Sequence, residues 1–324
     1  MAAPMVKTPL PNFIRFGRDI CGNLAEAERR EWWLGNGLGG YAAGTVAGTL
    51  TRRYHGLLIA PVNPPLGRYL VFAKADATLS DGEREWPLST NRWGGGTVEP
   101  QGYVHIESFH LEGRMPVWRY AIGDAVIEQR IWLEPGANTT YVAYRLEPNP
   151  LHAQKRLKLS VKLLINARDH HVNTQPWQFN PVIECQTHSL HVGHPNWFTL
   201  HFRTCCGSIE SRHDWYENFD LSVERERGLP ERDNHLCVGV ANFELRSGEW
   251  VGFVASLDER ASPYLELGVI TGVLRGPPSS VLSVASAPRR RPRPVGISPA
   301  LPIPVRLCRM RCIRDRGPSH LPGR

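Results

Sequence analysis

The residues that could do chemistry gather around a glycine-rich stretch near the start of the chain. The stretch "LGNGLGGYAAGTVAGTLTRRYHGLLIA", residues 34–60, interleaves glycine with alanine and threonine before two arginines, a tyrosine and a histidine. Glycine lets a backbone lie close to another surface. Paired arginines can clamp a carboxylate at a domain interface, and asparagine, tyrosine and histidine can hydrogen-bond sugar hydroxyls. The candidate substrate-binding or domain-interface residues here are Asn36, Arg52, Arg53, Tyr54 and His55.

Gly35, Gly37 and Gly40 spell G-x-G-x-x-G, but their neighbours argue against a dinucleotide site. That fingerprint needs a buried strand before it, a helix after it and an acid about 20 residues further on. Here the charged text "AEAERREWW" comes first, glycine and threonine follow, and the next acid is Asp76. We therefore interpret the stretch as a close-packed strand and turn, and we predict no cofactor.

Two further groups of side chains could contact a ligand. Asp169 and His170, followed by His171, could bind a metal or a sugar, but adjacent histidines on a strand point to opposite faces, so we predict no metal site. Tryptophan can stack on the apolar face of a pyranose or simply fill the core. Six tryptophans lie in or beside predicted loops: Trp32, Trp33, Trp93, Trp177, Trp197 and Trp215. Trp93, within "NRWGGGT", is the preferred stacking candidate because three glycines follow it.

The elements that must position these residues are mostly strands. Segments such as "RYHGLLIAPV", "YVHIESFHLE" and "LKLSVKLLINA" are rich in β-branched and aromatic residues, and many alternate apolar with polar positions. "EPGANT" and "RSGE" are predicted to be hairpin connections. No long helix is predicted, and short ones are predicted within "LAEAERREWW" and "DWYENFDLSVERERGL". The predicted fold class is therefore mainly β: a large antiparallel β-sandwich with long curved sheets.

The net charge of +7 comes from the end of the chain. Residues 272–324 hold eleven arginines and one acid, so they carry +10 and the rest carries −3. We therefore expect no nucleic-acid binding by the folded body. The Pro/Arg-rich tail is predicted to be either disordered or an out-of-frame translation of GC-rich DNA. Residues 1–18 are predicted to be an N-terminal extension.

Composition also bears on location and on the cysteines. No apolar run approaches the roughly 20 residues of a membrane span, and the N-terminus lacks the features of a signal peptide. We therefore predict a cytoplasmic protein without a membrane partner. Seven cysteines without framework spacing indicate reduced thiols. Cys205 and Cys206, adjacent on a predicted strand, are expected to point to opposite faces.

Five blocks, in order along the chain, carry a resemblance to a known family. They are "EWWLGNGLGGYAAGTVAGTLTRRYHGLLIA", "NRWGGGTVEPQGYVHIESFH", "PVWRYAIGDAVIEQRIWLEPGANTTYVAYRL", "INARDHH" and "DWYENFDLSVERERGLPERDN". Together they resemble the N-terminal domain of bacterial and archaeal glycogen debranching enzymes of the amylo-α-1,6-glucosidase type. The resemblance covers about residues 19–267, and we place the domain at residues 19–271.

The resemblance implies a β-supersandwich that recognises an α-glucan, glycogen or limit dextrin, and docks a catalytic (α/α)-barrel. In that family the barrel carries the two carboxyl groups that hydrolyse α-1,6-linked glucose at branch points. We expect this chain to be truncated before the barrel and inactive alone, so no catalytic residue is assigned. One alternative is a self-contained, non-catalytic glucan-binding module. Another is a domain that its basic tail tethers to a polyanion.

Overall fold

Two large antiparallel sheets, packed face to face, make up the fold. The computed structural model describes residues 14–63, 67–150 and 154–263, all of which belong to one structural unit. Over these residues the strands are β1 (Arg15–Phe16), β2 (Glu31–Gly35), β3 (Tyr41–Thr45), β4 (Gly56–Asn63), β5 (Gly67–Ser80), β6 (Glu85–Pro87), β7 (Thr90–Arg92), β8 (Val98–Gln101), β9 (Ile106–Glu112), β10 (Met115–Ile122), β11 (Ala125–Leu133), β12 (Thr139–Leu146), β13 (Arg156–Asp169), β14 (Val182–Gln186), β15 (Ser189–Gly193), β16 (Thr199–Thr204), β17 (Ser208–Asp220), β18 (Arg232–Arg246) and β19 (Trp250–Ser256). The helices are α1 (Arg18–Cys21), α2 (Leu24–Glu28) and α3 (Ser222–Glu226).

The strand order confirms the predicted antiparallel sandwich. One sheet has nine strands in the order β1-β9-β10-β11-β12-β19-β16-β15-β14. The other has eight, in the order β17-β18-β13-β5-β4-β3-β2, with β6 paired to β5. Strands β7 and β8 form a separate two-stranded sheet, and all of these pairings are antiparallel. Strand β2 therefore lies at one edge of the eight-stranded sheet.

Aromatic side chains join the two sheets across the interior. The ring of Phe72 on β5 meets Phe202 on β16 and Phe253 on β19 edge-on, with centroids 5.1 and 6.1 Å apart. Trp32 on β2 meets Trp118 on β10 at 5.7 Å in the same manner. Because burying one such side chain contributes about 1.5–3 kcal/mol, these contacts are a main source of cohesion between the sheets.

The interior also holds a buried ion pair. The Lys74 Nζ lies 2.6 Å from Asp76 Oδ1 and donates to the Thr90 carbonyl at 2.8 Å. The Asn91 amide donates to the other Asp76 oxygen at 2.7 Å. Burial lowers the pKa of Lys74, while Asp76 opposes that shift. The pair thus places two compensated charges between the sheets.

The connections confirm part of the sequence-based prediction and correct part of it. The two short helices lie where they were predicted, as α2 and α3, and "EPGANT" joins β11 to β12 as a hairpin. "RSGE" is not a hairpin, because β18 belongs to the eight-stranded sheet and β19 to the nine-stranded one. A turn signal predicts that the chain reverses. It does not specify which sheet the next strand joins, since that depends on distant pairing partners.

Some predictions concern residues beyond these ranges. The tail at residues 272–324, and its predicted disorder, lie outside the described residues. The domain limits of 19 and 271 stay predictions; β1, inside the predicted extension, pairs with β9. None of the helices formed by the described residues has the length and apolar character that crossing a membrane requires.

Candidate functional site

A groove of about 600 Å³ opens beside the edge strand β2, at the glycine-rich loop that joins β2 to β3. Gly37 and Gly39 have φ angles of 82° and 85°, in the left-handed region that glycine adopts without strain. The loop therefore forms a wall with little side-chain bulk. The groove is lined by Trp33, Gly35, Gly37, Gly39, Gly40, Tyr41, Arg52, Tyr54, Arg68 and His170.

Asn36 holds this loop in place from beneath and does not line the groove. It is buried, and its amide nitrogen donates to the Ala137 carbonyl at 2.9 Å and to Asn138 Oδ1 at 2.8 Å. Its amide oxygen accepts the backbone N–H groups of Leu38 at 2.9 Å and Gly40 at 3.0 Å. The side chain thus fixes the loop and ties it to the β11–β12 hairpin.

Replacing Asn36 with alanine is expected to lower the free energy of unfolding by about 1–3 kcal/mol, because buried donors and acceptors lose their partners. Urea denaturation measures this change. Asn180, which is exposed, provides the control, and its replacement by alanine should change stability by less than about 0.5 kcal/mol. Equal effects of the two substitutions would contradict the anchoring role.

An exposed indole ring forms the floor of the groove. Trp33 is 59% exposed, and its ring stacks on that of Tyr41 with centroids 3.9 Å apart and planes 17° from parallel. The Tyr41 hydroxyl lies 3.0 Å from His170 Nδ1. Burial raises the pKa of Tyr41 to about 12 and lowers the pKa of His170 to about 4. At neutral pH the ring is therefore backed by uncharged, hydrogen-bonded groups.

Polar groups surround the stacked rings of Trp33 and Tyr41. The Arg52 Nε donates to Glu31 Oε1 at 2.6 Å, and the Arg68 Nε donates to the Gly39 carbonyl at 2.6 Å. A guanidinium has five N–H donors, so further donors remain for a ligand. The Tyr54 hydroxyl, which also lines the groove, is hydrogen-bonded to the side chain of His171. The arrangement combines an apolar ring face with hydrogen-bonding groups around it.

His55 is buried beneath the groove and contacts Glu31, the partner of Arg52. It is 3% exposed, its Nδ1 accepts the Thr51 N–H at 3.1 Å, and its Nε2 lies 3.4 Å from Glu31 Oε1. Hydrogen bonds with His55 and with Arg52 lower the pKa of Glu31 to about 2, although burial opposes the shift. Glu31 is therefore ionised at neutral pH and orients Arg52.

Arg53 points away from the groove and connects it to α3. Its guanidinium donates to the His171 carbonyl at 2.6 Å and lies 3.4 Å from Glu224, which is fully buried. Arg168 continues this network: it is paired with the buried Asp233 at 2.9 Å and donates to the Arg53 carbonyl at 2.8 Å. The two adjacent arginines thus have separate roles, since only Arg52 lines the groove.

Asp169, His170 and His171 lie closer together than the sequence indicates. Each offers a ligand atom within 4.8 Å of the others, because the two histidines lie in a turn after β13 and not on opposite faces of a strand. The Asp169 carboxylate accepts the His171 N–H at 2.8 Å. Burial is the main cause that lowers the pKa of His170; among the charges nearby, Asp169 raises it and Arg68 and Arg168 lower it. The absence of a metal site stays a prediction.

Trp93 lies outside the groove. It is half-buried and its ring packs 4.5 Å from that of Phe219, while its Nε1 donates to the Glu99 carbonyl. The tryptophan in the groove is Trp33, one of the six considered from sequence. Alternation along "EWWLG" could have singled it out, because Trp32 faces the interior and the next side chain must face outward.

Tyr41 and Arg68 are groove residues that the sequence-based reasoning missed. Tyr41 is on β3 and Arg68 on β5, and the two strands are separated by β4 in the sheet. Arg68 contacts the glycine loop only because its side chain reaches the Gly39 carbonyl. No local pattern signals that contact.

Solved structures that match the chain do so at low identity and low TM-score. A heparan sulfate lyase from Pedobacter heparinus has 9% identity and a TM-score of 0.29, covering 58% of this chain and 22% of that one. A bacterial glucoamylase complexed with acarbose has 9% identity and a TM-score of 0.28, covering 71% and 31%. The chain thus spans less than a third of the length of either protein. At this level of similarity, the ligands of those proteins do not indicate a ligand for this chain. No curated protein matches the chain.

The family comparison is more specific. The family described as "Glycogen debranching enzyme N terminal" matches residues 30–252, which include the groove, the α3 segment and most of both sheets. The match begins just before β2 and ends within β19. The chain therefore belongs to the family of glycogen debranching enzyme N-terminal domains.

Proposed function

We propose that this domain binds α-glucan chains for a glycogen debranching enzyme acting in the cytoplasm, and that the glucan lies in the groove beside β2. The observation that carries the proposal is the exposed Trp33 ring, held flat against Tyr41 within the region that defines the family. A pyranose presents an apolar C–H face, which loses unfavourable contact with water when it stacks on an indole.

The neighbouring side chains suit the rest of a sugar. Arg52, Arg68 and Tyr54 supply hydrogen-bonding groups around the ring, and sugar hydroxyls both donate and accept. The glycine loop allows a chain of glucose units to lie close to the backbone. Glycogen, or the limit dextrin that remains after its outer branches are shortened, is the substrate class that the family suggests.

Replacing Trp33 with alanine is expected to weaken binding of maltooligosaccharides and limit dextrin by about tenfold, the equivalent of about 1.4 kcal/mol. Isothermal titration calorimetry and mobility in glucan-containing native gels measure the change. Trp177→Ala is the matched control, because Trp177 is 79% exposed and does not line the groove. Equal affinity of both variants and the unaltered chain would overturn the proposal.

A second candidate is docking of a catalytic (α/α)-barrel on the same face. Leu38 and Val172 are 53% and 51% exposed, and each belongs to a loop that contributes groove residues. Exposed apolar side chains are a common feature of protein interfaces. If the chain binds no glucan alone, but binds a separately produced barrel domain and loses that binding in Leu38→Asp, docking is the better assignment. Glucan binding without any barrel favours recognition by this domain, whether as part of an enzyme or as a self-contained module.

A further inference from the structure

Two adjacent cysteines occupy one of the connections between the two sheets. Cys205 and Cys206 lie in the bend between β16, in the nine-stranded sheet, and β17, in the eight-stranded sheet. Their Sγ atoms are 3.4 Å apart. The expectation that the two side chains point to opposite faces is therefore wrong, because the residues lie in a bend and not within a strand.

The bend is held on both sides. The Cys205 N–H donates to the Gly252 carbonyl at 3.2 Å, and the Cys205 Sγ lies 3.4 Å from the same oxygen. Gly207 has a φ of 76°, and a Cβ there would lie 2.1 Å from the Asn242 carbonyl oxygen. The Gly207 carbonyl is itself hydrogen-bonded to His188 Nδ1 at 2.8 Å. These contacts hold the backbone of the bend in which the two sulfur atoms lie 3.4 Å apart.

The sulfur atoms are also chemically unequal. The hydrogen bond between them lowers the pKa of the Cys205 thiol to about 7 and raises the pKa of Cys206. At neutral pH a substantial fraction of Cys205 is therefore a thiolate beside a Cys206 thiol. The thiolate is the reactive form of cysteine, and Cys206 is exposed. Cys205 is therefore the nucleophile, and the Cys206 thiol lies next to it, where it can react with the oxidised Cys205 sulfur.

We propose that Cys205 and Cys206 form a reversible vicinal disulfide when the protein meets a hydroperoxide. The Cys205 thiolate attacks a peroxide oxygen, the O–O bond breaks, and a sulfenic acid forms as hydroxide or alkoxide leaves. The Cys206 sulfur then attacks the Cys205 sulfur, the S–O bond breaks, and water leaves with the proton of the Cys206 thiol. The dithiol loses two electrons and two protons, and the peroxide is reduced.

The disulfide between Cys205 and Cys206 is expected to be reduced easily. Consecutive Cα atoms are about 3.8 Å apart, closer than the roughly 4.4–6.8 Å that disulfides usually join. A constrained, exposed disulfide is the kind that small thiols such as glutathione reduce readily. Closing the ring would stiffen the segment through which the chain passes from one sheet to the other.

Peptide mapping of the full chain tests this proposal. The reduced protein is treated with a small excess of hydrogen peroxide, alkylated and digested with trypsin. The peptide of residues 204–212 follows Arg203, ends at Arg212 and holds both cysteines and no other. We expect this peptide to be unalkylated and lighter by two hydrogen atoms after oxidation, and doubly alkylated again after glutathione treatment.

The controls separate this reaction from general thiol oxidation. Cys185→Ser removes another exposed cysteine and should leave the disulfide unchanged, whereas Cys206→Ser should leave Cys205 alkylated or oxidised to the sulfinic acid. In the unaltered protein the alkylation rate of Cys205 should rise through a midpoint near pH 7. Double alkylation after peroxide, or a disulfide joining either residue to another chain, would overturn the proposal.

Discussion

Replacing Arg168 with methionine is expected to lower the free energy of unfolding by about 3–5 kcal/mol, the range for breaking a buried ion pair. Arg168 is 5% exposed, and its guanidinium donates to the fully buried Asp233 at 2.9 Å. Methionine retains much of the volume but leaves the carboxylate without its counter-ion. Within the described residues the Thr174 N–H also donates to Asp233, at 2.9 Å, but a neutral backbone donor cannot replace a charge.

Urea denaturation at neutral pH measures this effect, with the midpoint and slope analysed together. Arg156→Met is the matched control: Arg156 pairs with Glu244 at 2.6 Å, but both side chains are about half exposed, so its loss should cost less than about 1 kcal/mol. The double variant Arg168→Met/Asp233→Asn removes both charges and should recover part of the stability. If Arg168→Met lowers the free energy of unfolding no more than Arg156→Met does, the buried Arg168–Asp233 pair does not stabilise the fold.

The overall fold could be predicted from sequence because its signals are local. Strand β13 alternates apolar and polar residues over much of its length, and "EPGANT" marks a hairpin. Each of these patterns reflects one buried face and a short turn, which neighbouring residues determine. The passage of β16 to β17 and of β18 to β19 between sheets was not predictable, since it depends on pairing with strands far away in sequence.

The candidate site was predicted only in part for the same reason. Arg52, Tyr54 and His170 do meet in one groove. Asn36, Arg53 and His55 belong to the supporting structure, and the partners that decide this for Asn36 and Arg53 lie far along the chain, at Ala137 and Glu224. Residue type indicated that these side chains form hydrogen bonds. Their direction depends on which partners the fold brings within reach.

His235, next to the Arg168–Asp233 pair, should make stability depend on pH. It is 1% exposed, and its Nδ1 lies 3.0 Å from the Asn166 amide nitrogen. The Asn166 oxygen accepts the Ala167 N–H at 2.8 Å, which fixes the orientation of the amide and turns its donor nitrogen towards the ring. A protonated His235 would therefore place two donors against each other. Burial is the main cause that lowers the pKa of His235 to about 4.

The charged groups around His235 partly cancel. Asp233 and Asp76 favour the protonated ring, whereas Arg168 and Lys74 oppose it. His235 is therefore neutral in the folded protein at pH values where the unfolded chain, with the ordinary value of 6.5, already binds a proton. The stabilisation from the neutral ring is complete above pH 6.5 and is lost as the pH falls towards 4.

Replacing His235 with asparagine is expected to make stability less sensitive to acid. Between pH 6.5 and 4 the free energy of unfolding should fall by about 3 kcal/mol more in the unaltered protein than in His235→Asn. This figure follows from about 1.4 kcal/mol for each unit by which the pKa is lowered. Asparagine keeps an acceptor near the Asn166 amide but has no proton to gain in this range. Urea denaturation at several pH values, extrapolated to water, gives both curves. The control is His213→Asn, which replaces an exposed histidine and should keep the fall in stability because His235 is retained. Parallel curves for the unaltered protein and His235→Asn would show that the buried ring does not control acid stability, and the acid sensitivity would then have to come from other groups.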